Sequence, residues 1–412
     1  MTETAAATGS RLPSSGRWTL RRMAPGLSLF IVFFALYHHH LVRLYPLTRD
    51  NDTVFYADTA DMRQVLSLDR ITFKDDMRKH LLFSVVTNPP VRLLQGLFHL
   101  STAGAITLVL ATVGALNPVA MYSVLRVLTA RGDAFVFALS HGFLFSNLFM
   151  FSIVETYAVS NLVMLLALNA LGRFQSRFTL SRLLIASTLA GLAGLFNPVL
   201  LSLAIPGVYL AWRGGRVRPA FWLPWAGLLP AAVTFFGAYR LIQGPSVFRR
   251  LWGYASYRSS PWNFAQPDVV ANVVASFFFY SVLAPVGRLS RTIGVDAFAG
   301  YFTSAGKTAA LLAYCAVLWG WKEYLATTRD AFAEGLLLAV LPMLAFYIYF
   351  DPGEAMLFSS QFTVPITLLS ALALQHVRRR YGRGRHLVVL LGIAWLIALI
   401  TYNLRPFYAR LN

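Results

Sequence analysis

The chain has 412 residues, of which 57% are hydrophobic and only 13% are charged, and its formal net charge is +19. Soluble domains carry about 25% charged residues, so this composition excludes an ordinary soluble fold and favours a membrane protein. The basic residues stand in short clusters between apolar segments, as positive-inside topology requires, and no nucleic-acid-binding module is recognisable. The expected partner is therefore the lipid bilayer, and no nucleic acid is expected.

Eleven apolar segments follow one another along the chain. Because lipid offers the backbone no hydrogen-bond partner, these segments are predicted to be helices. The predicted fold is an all-α polytopic membrane protein with about 11 transmembrane helices, and 10 to 13 fit the same pattern. The segments are 24–45, 102–127, 134–151, 158–172, 183–197, 198–212, 220–242, 307–322, 331–350, 359–377 and 386–404.

Residues 1–23 are polar and carry four arginines, and they are predicted to be a disordered cytoplasmic N-terminus. Residues 24–412 are predicted to form a single transmembrane domain. The first apolar segment contains His38, His39 and His40 and no small-residue cleavage site, so an uncleaved span is predicted. Successive helical residues point about 100° apart, so these histidines cannot converge on one ion and no metal site is predicted.

The basic clusters predict the orientation of the chain. With the N-terminus in the cytoplasm, the clusters after the fourth, sixth and tenth segments all face the cytosol. These clusters are Arg173, Arg177 and Arg182; Arg213, Arg216 and Arg218; and Arg378, Arg379, Arg380, Arg383 and Arg385. The two large extracytoplasmic loops are then 46–101 and 243–306.

Two segments allow more than one interpretation. Residues 269–287 are apolar enough to span, but a span there would move the five-arginine cluster outside, so they are predicted to be interfacial or re-entrant. Residues 183–212 fit one long tilted helix, but Asn197-Pro198 favours a hairpin of two short helices.

The first extracytoplasmic loop contains two sparse apolar stripes, in residues 53–68 and 80–100. The second stripe is interrupted by Pro89-Pro90. Both segments are predicted to be amphipathic helices that lie along the membrane surface with the apolar side towards lipid.

Seven of the seventeen acidic residues fall between Asp50 and Asp76, in this same loop. Asp50 and Asp52 follow the first span at the boundary between water and lipid. There, partial desolvation and mutual repulsion raise the pKa of a carboxyl group and make it a usable general base. The structural alternative is that Asp52 caps the next helix and Asp50 pairs with Arg49.

Further candidates lie in the extracytoplasmic loops. The run Arg78-Lys79-His80 suits a lipid-linked phosphate, and the alternative is anchoring on lipid headgroups. Arg249 and Arg250 stand among aromatic residues, which suits sugar or phosphate capture and equally an interfacial aromatic belt. The segment from Asp351 to Glu354 fits an ordinary turn as well as a contact with substrate.

The layout resembles the GT-C superfamily of membrane glycosyltransferases, which includes protein O-mannosyltransferases and the aminoarabinose transferases of lipid A. Asp50-Asn51-Asp52 is similar to the acidic motif that follows the first span in that superfamily. His80-Leu81-Leu82-Phe83 resembles the opening of its second surface helix, and Glu155-Thr156-Tyr157 resembles a Glu-x-Tyr segment. Asn197-Pro198 stands where relatives place a polar residue at the outer turn of a hairpin. The resemblance covers roughly the first 215 residues.

The resemblance implies transfer of a sugar from a polyprenyl-phosphate donor to an envelope glycan, lipid or protein at the outer face of a bacterial plasma (inner) membrane. It implies Asp50 or Asp52 as the general base. No cofactor is predicted, and the sequence leaves open whether a divalent metal is required. The phosphate contacts that it suggests are Arg78, Lys79, His80, Arg240, Arg249 and Arg250. The suggested sugar or structural contacts are Glu155, Tyr157, Asp351 and Glu354. The alternatives are a non-catalytic membrane scaffold or assembly subunit, and a transporter or flippase of lipid-linked substrates.

Overall fold

The computed structural model describes residues 20–49, 59–68, 80, 82–176, 179–213, 223–243, 259–285, 300–350, 352–380 and 394–404. Within these ranges the chain is almost entirely helical. The β-structure found there is one isolated antiparallel bridge between Ser259 and Phe350. The predicted all-α class is therefore confirmed.

The helices are numbered here in chain order. The first eight are α1 Leu20–Leu44, α2 Thr59–Ser67, α3 Phe83–Phe98, α4 Thr102–Leu128, α5 Arg131–Phe143, α6 Phe145–Met150, α7 Tyr157–Ser176 and α8 Leu180–Phe196. The next five are α9 Ala204–Arg213, α10 Leu223–Gln243, α11 Pro267–Ala275, α12 Ala305–Thr328 and α13 Ala331–Tyr349. The last three are α14 Ala355–Phe358, α15 Thr363–Arg380 and α16 Ala394–Leu404.

Four helices in the described part of the chain are long and apolar enough to cross a membrane: Met23–Leu47, Thr102–Leu128, Trp225–Ile242 and Ala331–Tyr349. A fifth is added if Ala355–Gln361 and Thr363–Arg380, which meet at a 48° bend, count as one span. Shorter apolar helices stand beside them, so the chain is a multi-pass membrane protein. The number of about 11 spans and the orientation stay predictions.

Helix α1 shows how the bundle is built. Its inward stripe, Leu29, Phe33, Tyr37 and Leu41, recurs every four residues and is buried. Ile31, on its other side, is exposed although apolar, as a lipid-facing position requires. The Tyr37 hydroxyl donates to the Gly142 carbonyl oxygen at 2.9 Å, so α1 is joined to α5 by a polar bond as well as by packing.

Two predicted spans are broken. Residues 134–151 divide at Leu144 into α5 and α6, and 359–377 bends at Phe362 between Gln361 and α15. At the first break, Asn147 Nδ2 donates to the His141 carbonyl oxygen at 2.7 Å, and Asn403 Nδ2 donates to that of Phe143 at 2.8 Å. Side chains thus satisfy backbone groups that a continuous helix would have paired internally.

The hairpin favoured by Asn197-Pro198 is present. Helix α8 ends at Phe196, and Asn197 is extended and caps a 3₁₀ turn over Pro198–Leu203 that leads into α9. Leu201 packs on Gly194 and Leu183 packs on Gly207, so the two arms run side by side in opposite directions.

The segment predicted to be interfacial or re-entrant is helical from Pro267 to Tyr280 and ends in a π-helical turn over Ser276–Tyr280. A full span needs about 20 residues, so this helix is too short to cross. The residues that follow are buried, and Asn403 Nδ2 donates to the Val282 carbonyl oxygen at 2.8 Å. This segment therefore ends inside the helix bundle.

The two helices of the first loop differ in what they bury. Val86, Leu93 and Leu97 of α3 are exposed, while its polar residues Ser84 and Thr87 are buried, which suits a helix with its apolar side towards lipid. In α2, by contrast, the stripe of Met62 and Leu66 is buried in the protein core and does not face outward. The expectation that both helices turn their apolar side to lipid is therefore wrong for α2.

Candidate active site

Several predicted site residues lie outside the described ranges: Asp50, Asp52, Arg78, Lys79, Arg249, Arg250 and Asp351, together with the side chain of Glu354. Residues 1–19 and the basic residues Arg177, Arg216, Arg218, Arg383 and Arg385 lie outside them as well. His80, Glu155, Tyr157 and Arg240 are described.

His80 lies against the tip of the α8–α9 hairpin. Its Nδ1 is 2.5 Å from the carbonyl oxygen of Phe196, the last residue of α8. The Phe83 backbone N–H in turn donates to the His80 carbonyl oxygen at 2.9 Å, which connects this contact to the start of α3. The opening of the second loop helix and the hairpin, which are 116 positions apart, are thus neighbours.

Arg240 lies in the last turn of α10, and its side chain is exposed. The neighbouring Tyr239 is buried with Leu195 of α8, and Leu82 packs against the same small cluster. The end of α10 therefore lies close to the segment that contains His80.

A line of hydrogen bonds continues inward from the hairpin. Asn197 Nδ2 donates to the Tyr347 hydroxyl at 3.2 Å, and this hydroxyl donates to Gln361 Oε1 at 2.9 Å. All three side chains are buried. The hairpin tip is thus joined through α13 to the bend that precedes α15.

The start of α7 reaches the same bend. Asn161 Nδ2 donates to the Ser360 carbonyl oxygen at 2.9 Å. The Tyr157 ring meets the Phe358 ring edge to face, with centroids 6.3 Å apart. Two segments with candidate sequence motifs therefore converge on residues 358–361. They are Glu155 to Asn161 and the hairpin at Asn197.

Glu155 is only 4% exposed, and it is the one buried carboxylate among the described residues. Its Oε2 accepts a hydrogen bond from the Thr156 backbone N–H at 3.0 Å. It belongs to residues 151–156, a buried segment without regular helix between α6 and α7. Irregular backbone is tolerated within a membrane protein where protein surrounds it, and residues 151–156 are buried in this way.

Three buried polar atoms at this convergence have no hydrogen-bond partner in the described part of the chain: Asn161 Oδ1, Ser360 Oγ and Gln361 Nε2. A buried polar group without a partner costs about 1–3 kcal/mol. Ordered water or the hydroxyl groups of a polar ligand would satisfy such atoms. Ser360 and Gln361 were not predicted from the sequence, although Ser359-Ser360-Gln361 is a run of three polar residues in a predicted span.

A second buried polar cluster holds the helix breaks together. His141 Nδ1 is 3.0 Å from Thr367 Oγ1, and Thr363 Oγ1 donates to Asn147 Oδ1 at 2.8 Å. His40 Nδ1 lies 3.2 Å from Ser152 Oγ and so connects the end of α1 to residues 151–156. Within the described ranges no group of three or more His, Cys, Asp or Glu side chains is placed to hold a metal ion.

No protein-family profile and no curated protein matches the chain. Solved structures of the Archaeoglobus fulgidus oligosaccharyltransferase are similar to it at low identity. The complex with zinc and sulfate has a TM-score of 0.47 at 12% identity, covering 91% of this chain and 52% of the other. AglB with an inhibitory peptide and a dolichol-phosphate has a TM-score of 0.49 at 12% identity, covering 94% and 56%.

The same archaeal enzyme, tethered by a disulfide bond to an acceptor peptide with the NVT sequon, has a TM-score of 0.47 at 11% identity. That match covers 92% of this chain and 54% of the enzyme. The chain therefore spans about half the length of these enzymes. At TM-scores below 0.5 the overlap is loose, and no residue role is carried over from them.

Proposed function

We propose that this chain is an integral-membrane glycosyltransferase of GT-C type. It moves a sugar from a polyprenyl-phosphate donor to an envelope glycan, lipid or protein at the extracytoplasmic face of a bacterial inner membrane. The observation that carries the proposal is the convergence of separate sequence motifs. The Tyr157–Asn161 segment contacts residues 358–361 directly, and the Asn197 hairpin reaches Gln361 through the Tyr347 hydroxyl. His80 lies against the same hairpin, at the Phe196 carbonyl oxygen.

The donor phosphate is assigned to the start of the second loop helix. The contact with Phe196 fixes the orientation of the His80 imidazole at this point. Arg78 and Lys79 directly precede it in the sequence, and we assign these two cations to the same phosphate. Cationic donors hold a leaving phosphate by charge-assisted hydrogen bonds, which are about twice as strong as neutral ones.

The general base is assigned to Asp50 or Asp52. Both follow directly on the 3₁₀ turn Tyr45–Arg49 at the end of α1. Arg63 of α2 donates to the Tyr45 carbonyl oxygen at 3.0 Å, and its guanidinium lies 4.0 Å above the Tyr45 ring. The described segments on either side of the two aspartates, the end of α1 and helix α2, are therefore in contact through Tyr45 and Arg63.

Sugar contacts are assigned to the buried polar residues at the convergence. Glu155 provides a carboxylate that can accept from sugar hydroxyls, and Asn161 and Gln361 provide amide groups with unpartnered atoms. Such groups discriminate strongly between substrates, because an analogue that lacks the matching hydroxyl leaves them unpaired.

The proposal is tested with Asp50→Asn and Asp52→Asn, made singly. A positioned general base contributes typically 10²–10⁴-fold to the rate, so we expect one of the two variants to lose at least about a hundredfold of glycosyl transfer. The measurement is the envelope glycan profile of cells that carry each variant at the abundance of the unaltered protein. Asp69→Asn, an equivalent change in the same loop, is the control and should keep full transfer.

Full transfer in both variants would remove these aspartates from the catalytic role. If deletion of the whole chain left every envelope glycan unchanged, the glycosyltransferase proposal itself would fail. The non-catalytic scaffold would then be the better description.

A further inference from the structure

An apolar cavity lies among α5, α12, α15 and the start of α16, and its volume is about 300 Å³. Helices α5 and α15 run antiparallel along it, because His141 meets Thr367 near one end and Asp133 meets Arg378 beyond the other. No charged side chain is found among the described residues that line the cavity. It therefore does not suit an ion.

The hydroxyl groups that line the cavity are already engaged within the protein. Ser140, Thr367 and Ser370 each donate to the carbonyl oxygen four positions earlier in their own helix, at 2.9, 2.7 and 2.7 Å. The Tyr314 hydroxyl is buried out of reach of water. A water molecule needs two to four polar partners to be held in a cavity. The lining therefore suits hydrocarbon better than water or a polar ligand.

The cavity adjoins a surface of α12 that faces lipid. Trp319, which lines the cavity, is 56% exposed, and Leu312 of the same helix is 61% exposed. Ala316 lines the cavity and is also exposed. Large apolar side chains remain exposed in this way where the surrounding medium is the acyl chains of the bilayer. Those chains are therefore the molecules that meet this side of the cavity.

The height of the cavity matches one leaflet of the bilayer. Along α15 the lining extends from Ile366 to Val377, which is about 16 Å at 1.5 Å per residue. Along α5 it extends from Val136 to Leu144, about 12 Å. The hydrocarbon core of a bilayer is about 30 Å thick, so each leaflet contributes about 15 Å.

The end of the cavity at Val377 lies beside the membrane boundary. The next residue, Arg378, forms an ion pair with Asp133 of α5 at 2.7 Å, and such a pair belongs at the level of the headgroups. At the other end lie Leu144, at the break between α5 and α6, and Val282, which follows the π-helical turn. The cavity therefore extends from the headgroup region on the arginine side towards the middle of the bilayer.

From these observations we infer that the cavity binds one acyl chain of a phospholipid from the leaflet on the arginine side, which is predicted to be cytosolic. The headgroup stays outside, and the end of the chain packs against Leu144 and Val282. Because the described lining has no charge, the site selects the hydrocarbon chain and not the headgroup. The site is separate from glycosyl transfer and does not depend on it.

The test is photocrosslinking of the full-length protein in phosphatidylcholine vesicles that contain a little phosphatidylcholine with a diazirine near the end of one acyl chain. Mass spectrometry of the peptides then locates the label. We expect label on Ser140 of α5 and Thr367 of α15 as well as on the exposed Leu312. Ser140 and Thr367 are only 6% and 4% exposed, so a chain must enter the cavity to reach both. Phosphatidylglycerol with the same diazirine chain should label them to within about twofold, since no charge selects the headgroup.

A substitution that fills the cavity provides the second measurement. Ala313 lines the cavity, and Ala313→Phe should lower the label on Ser140 and Thr367 at least about fivefold relative to the label on Leu312, because the larger ring takes the volume of the chain. The control is Ala309→Phe, one turn earlier on α12 at an exposed position outside the described lining. It should change the same ratio less than about twofold.

Three results would overturn the inference: label confined to exposed residues such as Leu312, equal ratios in the two phenylalanine variants, or a preference of more than about tenfold for phosphatidylglycerol, which would indicate recognition of the headgroup. If Ala313→Phe does not fold, the labelling pattern of the unaltered protein decides alone, because it requires no substitution.

Discussion

At the scale of single residues, the Tyr347 hydroxyl stands out because it joins two of the converging segments. It accepts from Asn197 and donates to Gln361, and its ring stacks on that of Phe358 with centroids 4.5 Å apart. Removing the hydroxyl while keeping the ring would leave two buried amide groups without their partner. An interhelical hydrogen bond within a membrane is worth about 0.6 kcal/mol on average, and a buried polar group that stays unpaired costs about 1–3 kcal/mol.

We therefore expect Tyr347→Phe to lower the free energy of unfolding in detergent micelles by about 1–3 kcal/mol and to reduce glycosyl transfer. Tyr349→Phe, two positions along the same helix, is the matched control, because its hydroxyl makes no hydrogen bond that joins these segments within the described part of the chain. Thermal unfolding and the envelope glycan profile are the two measurements. Equal stability and activity of Tyr347→Phe and the unaltered protein would show that this bond does not hold the site together.

At the scale of helices, close packing depends on small residues and on side chains that form hydrogen bonds with unpaired backbone groups. In α10, Pro230 interrupts the backbone ladder, and Ser187 of α8 both accepts from the Ala231 N–H at 3.1 Å and donates to the Gly227 carbonyl oxygen. One turn further along α8, a Cβ on Gly191 would lie 2.6 Å from the Ala231 carbonyl oxygen. The two helices therefore touch through their backbones.

Gly191→Ala should consequently push α8 and α10 apart and destabilise the protein by about 1–3 kcal/mol. Gly237→Ala in α10 is the control, since a Cβ there meets nothing within 4 Å. Its higher helix propensity should leave stability unchanged or raise it by up to about 1 kcal/mol. Thermal unfolding of the two purified variants separates these expectations, and a Gly191→Ala protein as stable as the Gly237→Ala protein would disprove close backbone packing.

Helices and hairpins were predictable from the sequence where the residues that produce them lie within the same short segment. Apolar runs predict the helices, and Asn197-Pro198 predicts the hairpin, because both signals lie within a few residues of the structure that they produce. The breaks at Leu144 and Phe362 were not predictable in this way. They are stabilised by partners far along the chain, such as Asn403, which is 260 positions from Phe143.

The same distinction applies to the candidate site. His80, Glu155 and Asn197 are identifiable as polar residues beside apolar runs. Tyr347 and Gln361 lie within apolar runs and acquire their role only through the fold, since 150 positions separate Asn197 from Tyr347.

At the scale of the whole molecule, the proposed function requires that the first loop and the arginine clusters lie on opposite sides of the membrane. Paired reporter fusions test this requirement. We expect alkaline phosphatase fused after residue 60 to be active and a fluorescent protein fused there to be dark, and the reverse after residues 215 and 383. The unfused chain at equal abundance is the control, and cytosolic signals at residue 60 would exclude an extracytoplasmic site.

Asn403 has a consequence for how the molecule is made. Its amide binds the carbonyl oxygens of Phe143 and Val282 and accepts from the Ala284 N–H, all inside the bundle. At about 5–20 residues per second, the ribosome delivers Asn403 roughly 13–50 seconds after Phe143. Until then the two carbonyl oxygens lack this donor, so water or an insertion chaperone must supply hydrogen bonds in its place. A nascent chain that stalls before α16 would keep these groups open to membrane proteases.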